Sequence, residues 1–126
     1  MTYKHLKLTD LPDQAPSFGV DSLEARLARS ELGAESIGLT GYSVKPGRRL
    51  GFGHNHDDVE EIYAITSGTG RFKLDDDIVE VAAGELVFCP PQVVREWEAG
   101  DEGLEVLAFG AHVQGDGNMF AGWWSD

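Results

Sequence analysis

From Glu35 onward the chain is a succession of short apolar, β-branched segments cut by turn signals, and this pattern limits its fold more than any other feature. Ile37–Val44 reads as a strand interrupted near Gly41, with Pro46-Gly47 as the turn after it. Residues 61–66 read as a strand that ends at Ser67-Gly68. Residues 71–74 and 78–81 flank Asp75-Asp76-Asp77 as a hairpin. Ala83-Gly84 is a further turn before a strand over residues 85–89, and Pro90-Pro91 breaks the chain. Residues 93–99 and 104–111 flank Gly100-Asp101-Glu102-Gly103 as another hairpin. Many short strands, with 16 glycines, predict an all-β sandwich or barrel.

Ahead of the strands, residues 1–18 read as an irregular leader containing Pro12 and Pro16. One short amphipathic α-helix is expected next. Asp21 can cap it and Glu24 completes a capping box. Leu23 and Leu27 are one turn apart, Ala28 and Leu32 repeat the spacing, and Gly33 is a stop signal. The expected organisation is one structural domain: leader and helix over residues 1–34, packed on a barrel over residues 35–126. Phe120, Trp123 and Trp124 are too aromatic for a free tail and are expected to cap the barrel or meet another subunit.

The net charge of −12, from 22 acids against 10 bases with no basic stripe, argues against a nucleic-acid partner. No apolar run approaches the length of a membrane span, and the first ten residues hold no apolar signal core. A single cysteine, Cys89, fits a reducing compartment, so the cytoplasm is the expected location. Cys89 is expected as a buried small residue, His112 as a rim histidine, and His5 has no evident constellation.

The chemistry concentrates in His54-Asn55-His56, followed by Glu61 and Gly68. Histidines at i and i+2 of a strand point to one face. A carboxylate from the next strand would complete a set of two imidazoles and one carboxylate, suited to a divalent metal with open positions. The stretch His54-x-His56-x4-Glu61-x6-Gly68 resembles the first motif of the cupin superfamily, and Gly84-x5-Pro90 resembles the opening of its second motif. The resemblance spans roughly residues 35–112. It implies a double-stranded β-helix, a jelly-roll-like barrel around a ligand cavity. It also implies metal positions at His54, His56 and Glu61, for Fe, Mn, Ni or Zn. Glu60 competes for the acidic position, but the six-residue gap to Gly68 favours Glu61. Small cupins often pair, so a homodimer is expected.

The chain departs from the motif twice. Gln92 stands where a glycine is usual, and Arg95 stands where the resemblance places the fourth ligand, a histidine. Arginine stays protonated and cannot ligate. Alternation places Val93, Arg95 and Trp97 on one face and Val94, Glu96 and Glu98 on the other, whose acids mark it as the solvent side. An inward arginine about 5 Å from a divalent ion, at an effective dielectric near 20, is repelled by roughly 7 kcal/mol. That argues against a tightly held metal unless Glu60 or an anionic ligand sits between them. Without metal, Arg95 has a natural partner in Glu61.

Three functions follow. The leading one is a small-molecule-binding barrel in which cavity Arg95 recognises an anionic ligand, with Tyr63, Trp97 and Glu61 beside it. The second is a metal-dependent enzyme of the oxygenase or isomerase class using His54, His56 and Glu61. The third is a structural or regulatory module whose cavity is filled by its own side chains.

Overall fold

The computed structural model describes residues 2–126. Strands β1 (Leu23–Leu27), β2 (Ile37–Val44), β3 (Phe52–His56), β4 (Glu61–Leu74), β5 (Asp77–Ala82), β6 (Leu86–Cys89), β7 (Arg95–Ala111) and β8 (Gly117–Ala121) form one curled antiparallel sheet. The hydrogen-bonded order is β1-β2-β7-β3-β8, and β4 joins β5, β6 and β7. This is the all-β double-stranded β-helix that the motifs imply.

The long strands β4 and β7 close the barrel. Glu61 to Gly68 of β4 pair with Gly110 to Leu104 of β7, and Gly70 to Leu74 pair with Ala99 to Arg95. Register shifts between Ile65 and Ser67 and between Gly68 and Gly70 bend the pair, so each strand serves both sides of the barrel. The hairpin expected at residues 100–103 therefore does not form. The Gly-rich segment stays inside β7, opposite the register shift between Gly68 and Gly70 of β4. Gly68 makes this possible: its φ is +81°, and a Cβ there would sit 2.1 Å from the Gly103 carbonyl oxygen.

Residues 23–27 are strand rather than helix. Leu23 and Ala25 are buried while Glu24 is exposed, a period of two, and β1 pairs with β2 from Leu23↔Val44 to Leu27↔Thr40. A four-residue spacing such as Leu23/Leu27 fits a strand face as well as a helix face, so it did not discriminate. Helix α1 is confined to Arg29–Leu32 and stops at Gly33, as expected. Asp21 pairs with Arg48 on the surface instead of capping.

The outer face of β7 near Glu96 is not solvent. Glu96 is 2% exposed, and its carboxylate accepts the Gly51 N–H at 3.0 Å. Glu98 accepts from Arg49 and Arg71, and Arg49 stacks on Trp124 at 4.1 Å while donating to the Trp124 and Asp126 carbonyls. The aromatic tail thus folds over this face, and residues 117–121 add β8 beside β3, a strand not anticipated from the sequence. The barrel interior is packed by Tyr63, Phe72, Trp97, Leu104 and Val106.

Candidate metal centre and ligand cleft

Strand β3 runs between β8 and the start of β7, with His54 opposite Arg95. Alternation turns Phe52, His54 and His56 inward, while Gly53 faces out against the Trp123 ring, where a Cβ would come within 2.7 Å. Glu61 opens β4 opposite Cys89 and Gly110, so its side chain enters the barrel beside the two imidazoles. The His54, His56 and Glu61 ligand atoms lie within 4.8 Å of one another. Glu61 Oε1 is 3.0 Å from His56 Nε2 and 3.5 Å from His54 Nε2.

The same oxygen is the focus of a second set of contacts. Tyr63 donates its hydroxyl proton to Glu61 Oε1 at 2.5 Å, and Arg95 donates Nη2–H at 2.8 Å. Arg95 is fully buried, and its other nitrogens are also engaged. Nε donates to the Tyr63 hydroxyl at 3.0 Å, and Nη1 donates to the carbonyls of Val93, Pro91 and Pro90. Trp97 sits beneath, edge-on to His54 at 5.7 Å and tilted against Tyr42 and Tyr63 at 5.0 and 5.2 Å.

These surroundings fix the protonation states. Burial alone would raise the Glu61 carboxyl, but the contacts from His54, His56, Tyr63 and Arg95 outweigh it and hold the group ionised, far below the usual carboxylate range. Burial, together with the Glu61 charge, pushes the Tyr63 hydroxyl well up, so it remains a donor. Burial lowers His54 despite Glu61, which favours the neutral imidazole that a metal ligand must be.

Asp116 is part of this centre although no sequence signal marked it. It lies in the turn before β8, buried, and accepts the backbone N–H groups of Asp58 and Val59 at 3.1 Å each. Its Oδ2 is 3.3 Å from His56 Nδ1, outside good hydrogen-bond alignment, since Nδ1 has no hydrogen-bond partner among the described residues. His56 thus contacts Glu61 through Nε2, with the Asp116 carboxylate nearby on the Nδ1 side.

A cleft of about 280 Å³ opens onto His54, His56 and Glu61. Tyr42 and Thr40 of β2, and Phe52, line it as well. Arg95, Tyr63 and Trp97 do not line it: they stand behind Glu61, each essentially without solvent exposure. Arg95 stands behind Glu61 instead of in the cleft lining, with its nitrogens engaged by the Glu61 carboxylate, the Tyr63 hydroxyl and the carbonyls of Pro90, Pro91 and Val93. The interior is only partly filled by side chains, and the cleft remains open. Cys89 is buried and its thiol is pushed up to about 11 by that burial, in keeping with a packing role. His112 is exposed, away from the cleft lining.

A family model described as "Cupin domain" matches residues 42–110, more than half of the chain. An uncharacterized protein from Methanocaldococcus jannaschii is 36% identical over 55 residues, which make up 43% of this chain and 44% of that relative's length. Among solved structures, a polyketide cyclase from Streptomyces resistomycificus superposes with a TM-score of 0.78 at 20% identity, covering 98% of this chain and 87% of that one. A cupin protein from Bacteroides fragilis gives 0.72 at 20% identity, with 91% and 88% covered. Oxalate decarboxylase from Bacillus subtilis gives 0.74 at 20% identity, with 90% of this chain matching 31% of that chain. At these identities the structural likeness concerns the fold.

Proposed function

The chain belongs to the cupin superfamily, and from that premise we propose that it binds a small molecule at a divalent-metal site formed by His54, His56 and Glu61 at the inner end of the cleft. The observation that carries the reading is the convergence of two imidazole Nε2 atoms and one carboxylate oxygen at 3.0 and 3.5 Å, on a wall open to the cleft. Donors about 2.1 Å from a common metal lie about 3.0–3.4 Å apart at octahedral or tetrahedral angles, and the two separations from Glu61 Oε1 fall close to that range. Asp116 behind His56 Nδ1 supports the fit, since a carboxylate there favours the tautomer whose Nε2 lone pair faces the centre.

Arg95 sets the character of the site. Glu61, two neutral imidazoles and a divalent ion already carry a net positive charge, and Arg95 beside Glu61 adds to it. Anionic recognition by Arg95 is then indirect: it fixes Glu61 Oε1 and leaves the centre short of negative charge, which favours a ligand with an anionic oxygen. A bound divalent ion would supply Lewis acidity and open positions for that oxygen. Tyr63 and Arg95 hold the carboxylate, Trp97 backs His54, and Tyr42 presents a hydroxyl that burial and the Glu61 charge keep protonated. Turnover of the bound molecule, as an oxygenase or isomerase, is the extension of the same proposal. The homodimer expected from the sequence has a candidate face in the exposed apolar residues Ile62, Phe88 and Phe109, which neighbour one another across β6, β4 and β7.

The test is elemental analysis of the full-length protein purified without chelator, beside His54→Ala. Near-stoichiometric metal that disappears in the variant is expected. Absence of metal in the unmodified protein, even after incubation with Zn(II), Mn(II) or Fe(II), would overturn the reading.

A further inference from the structure

The cleft is lined by a polar set, His54, His56 and Glu61 with Thr40, Tyr42 and Asn118, and by a larger apolar set. The apolar set includes Leu23 and Ala25 of β1 with Leu50 and Phe52, side chains of the main apolar core cluster or packed on it. No lysine or arginine is among its lining residues, and Glu61 is the single acidic one. Of the apolar lining residues, Phe18, Leu27 and Met119 are 58%, 43% and 63% exposed, and Met119 lies directly opposite His54 across β8 and β3. Three large apolar side chains exposed in one cleft lining form a surface that a ligand could cover, in a chain otherwise rich in surface charge.

We infer that the ligand is a monoanionic amphiphile: one oxyanion head, carboxylate or phenolate, at His54, His56 and Glu61, and an apolar body laid against Leu23, Ala25, Leu50 and Phe52, with Phe18 exposed beside it. A small dianion would engage only the polar set and leave the rest of the cleft to water against apolar walls. A cationic head would find one carboxylate, already committed to Arg95 and Tyr63. The cleft volume, about 280 Å³, lies at the small end of ligand pockets, so the body is a short chain or a single ring system. The head-group half of the inference rests on the metal-site reading above, whereas the apolar half rests on the walls alone.

The experiment separates the two halves. Zn(II)-loaded full-length protein is titrated calorimetrically with acetate, butanoate, hexanoate and octanoate, then with oxalate and with the matching 1-alkanols. Each methylene that enters the cleft is expected to tighten binding roughly three- to fourfold. Carboxylates are expected to bind at least tenfold tighter than alcohols of equal length, and octanoate tighter than oxalate. Phe18→Ser, at an exposed position, should reduce the gain for octanoate and leave acetate unchanged. Equal affinity from acetate to octanoate, or tightest binding of oxalate, would overturn the inference. In His54→Ala/His56→Ala the preference for carboxylate should vanish while the chain-length gain persists. A chain-length gain without any carboxylate preference in the Zn(II)-loaded protein would overturn the oxyanion head and leave the metal site standing, whereas failure of the protein to load Zn(II) would defeat the metal-site reading itself.

Discussion

Replacing Arg95 with methionine removes the charge beside the proposed cation while keeping an unbranched side chain in the same space. Arg95 Nη2 is 2.8 Å from Glu61 Oε1. A divalent ion on that oxygen would stand about 5 Å from the guanidinium, where the repulsion is about 3 kcal/mol at an effective dielectric of 40 and about 7 kcal/mol at 20. The cleft admits water on one side of Glu61, so the lower figure is the appropriate one. It corresponds to roughly a hundredfold tighter metal binding in Arg95→Met, read by competition with a chromophoric chelator. Without metal the same variant leaves Glu61 short of its ion partner, and a loss of about 3 kcal/mol is expected in urea unfolding. Added Zn(II) should recover that loss. Arg95→Lys, which keeps the charge but not the fork of donors, should bind metal within a few-fold of the unmodified protein. Equal metal affinity in Arg95→Met and the unmodified protein, with both folded by circular dichroism, would refute the reasoning, because a cation on Glu61 must sense the arginine.

Asp116→Asn should weaken metal binding by about ten- to a hundredfold while retaining the fold, and unchanged affinity would remove Asp116 from the centre. Gly68→Ala should cost about 3 kcal/mol or more in urea unfolding, since it combines a left-handed φ with a Cβ driven into the Gly103 carbonyl. A loss under about 1 kcal/mol would show that the β4–β7 bend yields there. Glu98 gives a pH test remote from the metal ligands. Burial raises its carboxyl, but Arg49 and Arg71 outweigh it and hold it below the ordinary 4.5. Its contribution is present above that value and is lost as the pH falls through the lower folded value. Glu98→Gln should therefore cost about 1 kcal/mol at pH 7 and progressively less toward pH 3, and a difference independent of pH would count against the ion-pair network.

The candidate ligand set was legible because the chemistry and the strand period coincide. His54 and His56 share a face by alternation, and Glu61 and Gly68 fix the next strand and its bend. The same alternation correctly turned Arg95 and Trp97 inward. It failed for Glu96, because period two distinguishes the faces of a strand but not what lies over the outer one. Here the tail with Trp123 and Trp124 and the loop at residues 49–51 cover that face. Residues 23–27 misled because Leu23/Leu27 satisfies both periods, and only the pairing with β2 decides between them. Gly100 and Gly103 resemble a hairpin turn locally, yet the register with β4 carries the strand through. Asp116 left no signal: between Gly115 and Gly117 it looks like any turn aspartate, and its role depends on β8 bringing it to His56. The sequence correctly paired Arg95 with Glu61 but not its depth, because the carbonyls of Pro90, Pro91 and Val93 that hold it become acceptors only in the folded turn.

The central claim is that a divalent ion at His54, His56 and Glu61 meets the head of a ligand in the cleft. The visible spectrum of Co(II)-substituted protein tests it most directly. Ligand-field bands of the bound ion are expected that shift when octanoate is added and are lost in His56→Ala. Bands that do not respond to octanoate, or no bound Co(II) in the folded protein, would contradict it.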